Sequence, residues 1–512
     1  MYLKVKNFPS QKVCRTGVAT LISIIAFLNL FQVGKTLGMD KEIHLRHQFY
    51  SVPAAVSFIK FGTHNYTINS DLYNIISQNA KDLNVGIKAA INASVDRDKF
   101  FLLPADDKGN IDFAIGSFVV FGPQIESMYM GFFLLLALSS TLFYFQFKKN
   151  DSKLVFLPLF LLSLNTISYA LPVTKELYSF HNPRVFGVLT VLPILHLCFL
   201  IDEIKRPKFW LLVGASLQAT LLTFCIHVRS AEKWVFVPLS VYFLIKIIKV
   251  RKIFLIWPIC LLIISTLIFD FYAKNVYHPE YFKSKGKSHL TWHNVGIGFA
   301  LHPKLAAEYQ LSIDDAPMIN LVTRTAYSIG GSDFVSSIFT PELASFESHG
   351  IAHNYSLYER VARNAVLNIA KNNKQAFLEL HFYYKPVTFL KNFLWMTGNY
   401  QDNYVDLNLS GQIGSITDKS TREKEGLQLK FLRIESILGV SAIALAFSKT
   451  NLKSENRITL LVASSSLLPT FLAYPLVHLI AVPATLLILT LYLIIFSLTQ
   501  FLASSFLKHC KF

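Results

Sequence analysis

Paired carboxylates are the first residues in this chain whose types and spacing could do chemistry. Asp40-Lys41-Glu42, Asp106-Asp107-Lys108-Gly109 and Asp314-Asp315 each set two acids side by side or one residue apart. Such a pair can take a proton from a hydroxyl as a general base, or hold a divalent cation through its oxygens. The plainer use of the same residues is a hydrated turn with a helix N-cap, which Asp and Gly both favour. The run His289-Leu-Thr-Trp292-His293 sets two imidazoles beside an indole. An i,i+4 His pair can bind a metal on a helix, but this run lacks the acidic residue of an HExxH site, and Gly296 and Gly298 follow at once. The run reads instead as a substrate-binding loop, with Trp292 stacking on a sugar or lipid and His293 hydrogen-bonding; ordinary packing is the simpler alternative. No metal site is expected, although a divalent cation on the paired acids is one use of them.

Cations occupy the complementary places. Arg184, Arg229-Ser230 and Lys233 fall where apolar runs end, and Lys108 stands beside an acid pair. Arginine at such a boundary can clamp a phosphate with two parallel hydrogen bonds, and a polyprenyl phosphate presents its headgroup at that depth. The alternative is snorkelling, in which the charge only anchors a helix end at the interface. His227 ends one apolar run, His478 begins another and His196 lies inside a third. Ionisable groups at such depths are functional hypotheses by default. His478 is read as lining a cavity mouth, whereas His196 is read as a hydrogen-bonded packing residue.

The elements that must position these groups are membrane spans. Of the 512 residues, 52% are hydrophobic and 16% charged, with a mean hydropathy of +0.41. A soluble domain carries about a quarter charged residues, so soluble enzymes and disordered scaffolds are excluded. The net charge of +17 does not indicate nucleic-acid binding, because much of the excess sits in short loops between apolar runs. The five cysteines form no CxxC and suggest no disulfide or zinc framework.

Apolar runs long enough to cross a bilayer, about 20 residues each, lie near 17–34, 125–147, 154–173, 184–201, 209–228, 234–248, 253–272, 429–448, 457–475 and 478–506. The first is read as a retained span, since its end lacks a small-residue cleavage site. Alternate loops are basic: the N-terminal stretch, 148–153, 205–208, 249–252, 449–457 and the C-terminal end. Lys and Arg resist translocation, so these loops are expected in the cytoplasm together with both termini. The fold class is then an all-α polytopic membrane protein with about ten transmembrane helices. Two long non-cytoplasmic loops, 35–124 and 273–428, contain short amphipathic helices, expected over Leu72–Ile91 and Leu357–Tyr383, the latter with Val361, Ala365, Leu367 and Ile369 as apolar positions. The chain divides into a transmembrane module with the first long loop (1–272), a second outer subdomain (273–428) and C-terminal spans (429–512).

One span, a long outer loop, six spans and a second long outer loop: this order resembles the GT-C superfamily of integral-membrane glycosyltransferases. The stretch Pro104-Ala-Asp-Asp-Lys-Gly109, Asp112-Phe113, Phe121-Gly122 and Ser127-Met-Tyr129 is similar to one in many such enzymes, where a turn leads through an apolar helix into the second span. Asp40-Lys41-Glu42 stands where members carry an acidic residue after the first span, and the run from Trp292-His293 through Gly296 and Gly298 to Asp314-Asp315 resembles one in bacterial relatives.

The resemblance implies transfer of a hexose or pentose from a polyprenyl-phosphate donor to a glycan, lipid or protein acceptor at the outer face of a membrane, here a bacterial inner membrane. A carboxylate among Asp40, Glu42, Asp106 and Asp107 would deprotonate the acceptor. Lys108, Arg184, Arg229 and Lys233 would hold the departing phosphate, with Trp292, His293 and His478 contacting substrate. The partners are then the lipid-linked donor, the acceptor and membrane lipid, with no nucleic acid and no cofactor required. An O-antigen-type glycan polymerase or ligase is the alternative enzyme, disfavoured by the long loop at 35–124. A lipid-linked-glycan transporter or flippase would show internal repeats and short outer loops, and neither is present.

Overall fold

The computed structural model describes residues 11–37, 46–62, 67–79, 82–102, 108–168, 186–202, 208–251, 253–277, 290–339, 354–396, 434–448, 450–475 and 477–509. Its elements in order are α1 (Gln11–Leu37), α2 (Arg46–Phe61), β1 (Thr67–Asn69), α3 (Ser70–Gln78), α4 (Leu83–Asn92), β2 (Phe100–Leu102), α5 (Lys108–Phe121) and α6 (Ile125–Phe147). Then come α7 (Phe156–Ser168), α8 (Val191–Asp202), α9 (Phe209–Val228), α10 (Phe236–Val250) and α11 (Trp257–Val276). The second long segment supplies α12 (Thr291–Ile297), α13 (Pro303–Tyr309), α14 (Asp315–Ile338), α15 (Tyr355–Asn372), α16 (Lys374–Glu379) and α17 (Lys385–Met396). The chain closes with α18 (Ile434–Ala446), α19 (Lys453–Ser466), α20 (Leu468–Leu472) and α21 (Val477–His509).

The fold is all-α and polytopic, and each apolar run read from the sequence contains a helix. Among the described residues, Val13–Val33, Ile125–Phe147, Phe209–Val228, Trp257–Val276 and Ala481–Phe506 are each long and apolar enough to cross a membrane unaided. Other runs are interrupted. The run at 184–201 begins as a 3-10 turn, Gly187–Thr190, and the one at 234–248 follows another, Ser230–Val235. The run at 457–475 starts earlier, at Lys453, and breaks after Ser466 into α20 with Pro469 in its first turn. Where lipid offers no hydrogen bonds, polar side chains hold helices together. Asn165 donates to Ala26 O at 2.6 Å and accepts from Asn29 at 2.8 Å, joining α7 to α1. Ser139 and Gln218 bond reciprocally between α6 and α9, and the Thr166 and Tyr492 hydroxyls meet at 2.6 Å between α7 and α21.

In the first long segment the expected single helix over Leu72–Ile91 is two helices. The first ends at Gln78 with Asn79 as its C-cap, and Asp82 caps the second, its carboxylate accepting from the backbone N–H of Asn84 and Val85. The short strands β1 and β2 pair antiparallel, and Lys60 of α2 donates to the carbonyls of Ala90, Ile91 and Ala93 at the end of α4. In the second segment α15 ends at Asn372 rather than running to Tyr383, and α16, a π-helical turn at Leu380–Tyr384 and α17 follow. Val361, Ala365 and Ile369 are buried as expected; Leu367 faces outward.

The bundle has two chemically distinct ends. At one, Arg15 pairs with Asp151 at 2.6 Å and donates to Ala446 O at 3.1 Å, while Asp202 accepts from Tyr242 at 2.8 Å and Ser454 at 3.2 Å and pairs with Lys246. These contacts join loops that the charge pattern assigns to one side. At the other end the two long segments pack onto neighbouring helix termini. Gly109 of α5 lies against the His227–Val228 backbone, α20 contacts the Ser230–Val235 turn, and Lys385 of α17 donates to the carbonyls of Phe471 and Leu472.

Candidate functional site

At this second end, α5 crosses the C-terminus of α9 with no room between the backbones. A Cβ on Gly109 would lie 2.5 Å from Val228 N and 2.6 Å from His227 C. The crossing carries Asp112, one turn further along α5, onto the His227 ring. Asp112 Oδ2 lies 2.9 Å from His227 Nε2 and 2.6 Å from the Tyr277 hydroxyl, which is itself 2.5 Å from Nε2. Tyr272 donates to Asp112 Oδ1 at 3.4 Å. A carboxylate only accepts, so Nε2–H and the Tyr277 hydroxyl both donate to it. Burial and the adjacent carboxylate push the Tyr277 phenol well above its ordinary range.

Two residues after His227, Arg229 is buried at the C-cap of α9 in an extended conformation (φ −146°, ψ 113°). The 3-10 turn that follows buries Glu232, which accepts from the Trp234 indole at 2.8 Å. Gly187 leaves the space for it, since a Cβ there would stand 2.3 Å from Glu232 Oε1. Lys233 is exposed on the same turn. A buried arginine and a buried acid thus lie three residues apart in the chain at this end of the bundle.

A third group lies in the second long segment. Glu359 of α15 receives the backbone N–H of Trp292 at 2.8 Å and of His293 at 3.0 Å, capping α12 with a carboxylate where the helix dipole favours one. Burial nonetheless raises its pKa. The His293 ring is buried, with Nδ1 2.6 Å from the Tyr358 hydroxyl and Nε2 3.0 Å from Asp315 Oδ1. Both ring nitrogens are thereby occupied, and the part of this chain of contacts that reaches solvent is Asp315, 45% exposed. Trp292 is half-buried next to it. Gly296 and Gly298 permit close packing rather than a flexible loop: a Cβ would meet the Met318 side chain at 2.5 Å and Ala473 O at 2.0 Å respectively.

Lys385 underlies this region. It is fully buried, within 2.7 Å of Phe471 O, 3.1 Å of Leu472 O and 3.3 Å of His381 Nε2, and burial pulls its pKa down to about 7.

Of the residues singled out from sequence, Arg229 and Lys233 fall on the turn beside the Asp112–His227–Tyr277 group, and Trp292 and His293 lie in the second segment's cluster. Lys108 is the first residue of α5, and His478 falls in the first turn of α21. Asp40, Glu42, Asp106, Asp107 and Arg184 lie outside the described residues. His196 corrects its reading: the ring is fully buried between Phe143 and Phe147, but among the described residues neither nitrogen has a hydrogen-bond partner. Asp112, Tyr277 and Glu232 were not singled out as site residues. Asp112 and His227 lie 115 positions apart, and no spacing rule links them. Among the described residues, no three His, Cys, Asp or Glu side chains gather as a metal site.

No family model and no curated protein matches the sequence. Among solved structures the chain is similar to the crystal structure of ArnT from Cupriavidus metallidurans bound to undecaprenyl phosphate, at 11% identity and a TM-score of 0.35, over 95% of this chain and 78% of that one.

Proposed function

We propose that this protein is a membrane glycosyltransferase. It moves a hexosyl or pentosyl group from a polyprenyl-phosphate donor to an acceptor hydroxyl at the membrane face onto which the two long segments open. That face is the outer one of a bacterial inner membrane, with both termini in the cytoplasm. The observation that supports the reading best is the crossing of α5 over the end of α9. It brings the helix that follows Asp106-Asp107-Lys108 against His227, two residues before Arg229, at the end of the bundle that also receives the second long segment.

A lipid phosphate needs such a place, where a greasy tail and a charged headgroup are met together. One carboxylate among Asp40, Glu42, Asp106 and Asp107 takes the acceptor's proton. Lys108, Arg184, Arg229 and Lys233 stabilise the phosphate as negative charge grows on it in the transition state. Trp292 and Asp315 sit on the acceptor side, with His293 holding Asp315 in place.

The test is a transfer assay on the full chain reconstituted in lipid nanodiscs with radiolabelled polyprenyl-phosphate hexose and pentose. Asp40→Ala or Asp106→Ala is expected to abolish transfer while membrane insertion persists. Full activity in both variants and in the Asp106→Ala/Asp107→Ala double variant would remove the carboxylate mechanism. No consumption of any such donor by the unaltered chain would overturn the function itself.

A further inference from the structure

The second long segment meets the bundle at a short stretch, residues 471–475, where α20 ends. Lys385 donates to the carbonyls of Phe471 and Leu472. The buried Asn392 amide donates to Pro475 O at 2.5 Å, and the Tyr474 hydroxyl donates to Asn294 Oδ1 at 3.1 Å. Gly298 rests on Ala473 O, and a Cβ there would also stand 3.4 Å from Lys385 Nζ. These five residues are thus clasped by α12, by the 3-10 turn Gly298–Leu301 and by α17.

Beside the clasp lies the π-helical turn Leu380–Tyr384. Such turns are rare and collect at functional sites. This one carries His381, whose Nε2 is 3.3 Å from Lys385 Nζ and whose Nδ1 is 2.9 Å from Phe377 O. A carbonyl only accepts, so Nδ1 carries the hydrogen and Nε2 offers its lone pair to the lysine. The three N–H groups of the ammonium then meet three acceptors, Phe471 O, Leu472 O and His381 Nε2. The pair has hydrogen bonds for one positive charge and not for two. A second proton, on Nε2, would turn an acceptor into a donor aimed at a cation. Lys385 is fully buried, whereas His381 is half-buried and open to protons from solvent.

We propose that Lys385 and His381 form an acid-released tie between the second long segment and the bundle. At neutral pH the pair holds one proton and the tie is made. A second proton on His381 drives the two groups apart and frees the carbonyls of Phe471 and Leu472, loosening the segment that carries Trp292, His293 and Asp315. Burial, and then the adjacent lysine, lower the His381 pKa below its ordinary 6.5. The freed imidazole therefore takes a proton more readily than the tied one, so the tie is kept above pH 6.5 and lost as pH falls below it. The elements packed around the pair add His302, Glu379 and Tyr384, with Lys374 and Lys391 exposed and His478 in the first turn of α21. Glu379 is already engaged by His302 Nε2 at 3.0 Å and by Gln375 at 2.8 Å. Among the described residues, no carboxylate bonds to His381 or Lys385 to balance a second charge. The tie is independent of the transfer reading.

The test is a spin-label distance between Glu308→Cys on α13 and Leu468→Cys on α20, in the full chain in nanodiscs with its native cysteines replaced by serine. One narrow distance is expected at pH 7, and its loss to a broader, longer distribution at pH 5. In His381→Gln the side-chain oxygen still accepts from Lys385 but takes no proton, so the narrow distance should persist at both pH values. His302→Gln should respond to acid as the unaltered chain does. Lys385→Met, which cannot make the tie, should lack the narrow distance already at pH 7. The same distribution at pH 5 and pH 7 in the unaltered chain overturns the proposal. So does an acid response that survives in His381→Gln or disappears in His302→Gln, or a narrow distance in Lys385→Met. An acid response as expected in a chain that transfers no sugar would refute the enzyme reading and leave the tie standing.

Discussion

Lys385 shows what a single buried charge does in this molecule. Its ammonium caps the carbonyls at the end of α20, and burial lowers its pKa from 10.5 to about 7. Between those values the unfolded chain binds a proton that the folded chain does not, so stability rises with pH across that window, by about 1.4 kcal/mol per pH unit. Below about pH 7 both forms are protonated and the full desolvation cost of the ammonium is present. Lys385→Met removes this linkage. Denaturation of both proteins at pH 7 and pH 9 should show the unaltered chain gaining on the variant as pH rises; parallel profiles would mean that Lys385 is not buried in this way. At the same scale, Arg229→Ala should slow transfer by roughly two orders of magnitude, as expected for a lost charge-assisted contact to a developing phosphate charge. An Arg229→Ala protein of unchanged activity would confine that residue to anchoring the helix end.

Among the elements, the crossing of α5 over α9 depends on one missing side chain. Gly109→Val would force a side chain into the His227–Val228 backbone, where even a Cβ has no space. It should cost about 1–3 kcal/mol of stability and separate Asp112 from His227. Thermal unfolding together with the His227 NMR signal checks this, and a variant with an unchanged signal would show that the crossing is not tight. Gly298→Ala is expected to loosen the contact between the second segment and Ala473 in the same way. Helix existence was legible in the sequence, because each apolar run is long and few charges interrupt it. Helix ends were not. Hydropathy measures composition, and the 3-10 turn at Gly187–Thr190 is built of the same apolar residues as the helix it leads into. The break between α3 and α4 was readable only from Asp82 as an N-cap.

For the molecule as a whole, the alternation of basic loops predicts that both long segments share a side, and their contacts agree: one packs on the end of α9, the other on the turn after α20. What sequence could not supply is which residues of those segments meet. The Asp112–His227–Tyr277 group draws on three stretches brought together only by helix packing. Of the expected site residues, Arg229 and Lys233 are described at the end of α9 beside that group, and Lys108 opens the helix that crosses it. The measurement that tests this geography most directly is labelling of single cysteines in sealed, oriented vesicles with a membrane-impermeant maleimide, in a chain whose native cysteines are serine. Cysteines at the exposed positions Asp98 and Glu308 should react from the same, non-cytoplasmic side, and one at Lys149 only from the other. Reaction of the Asp98 and Glu308 sites from opposite sides, or of both from the cytoplasmic side, would contradict the account.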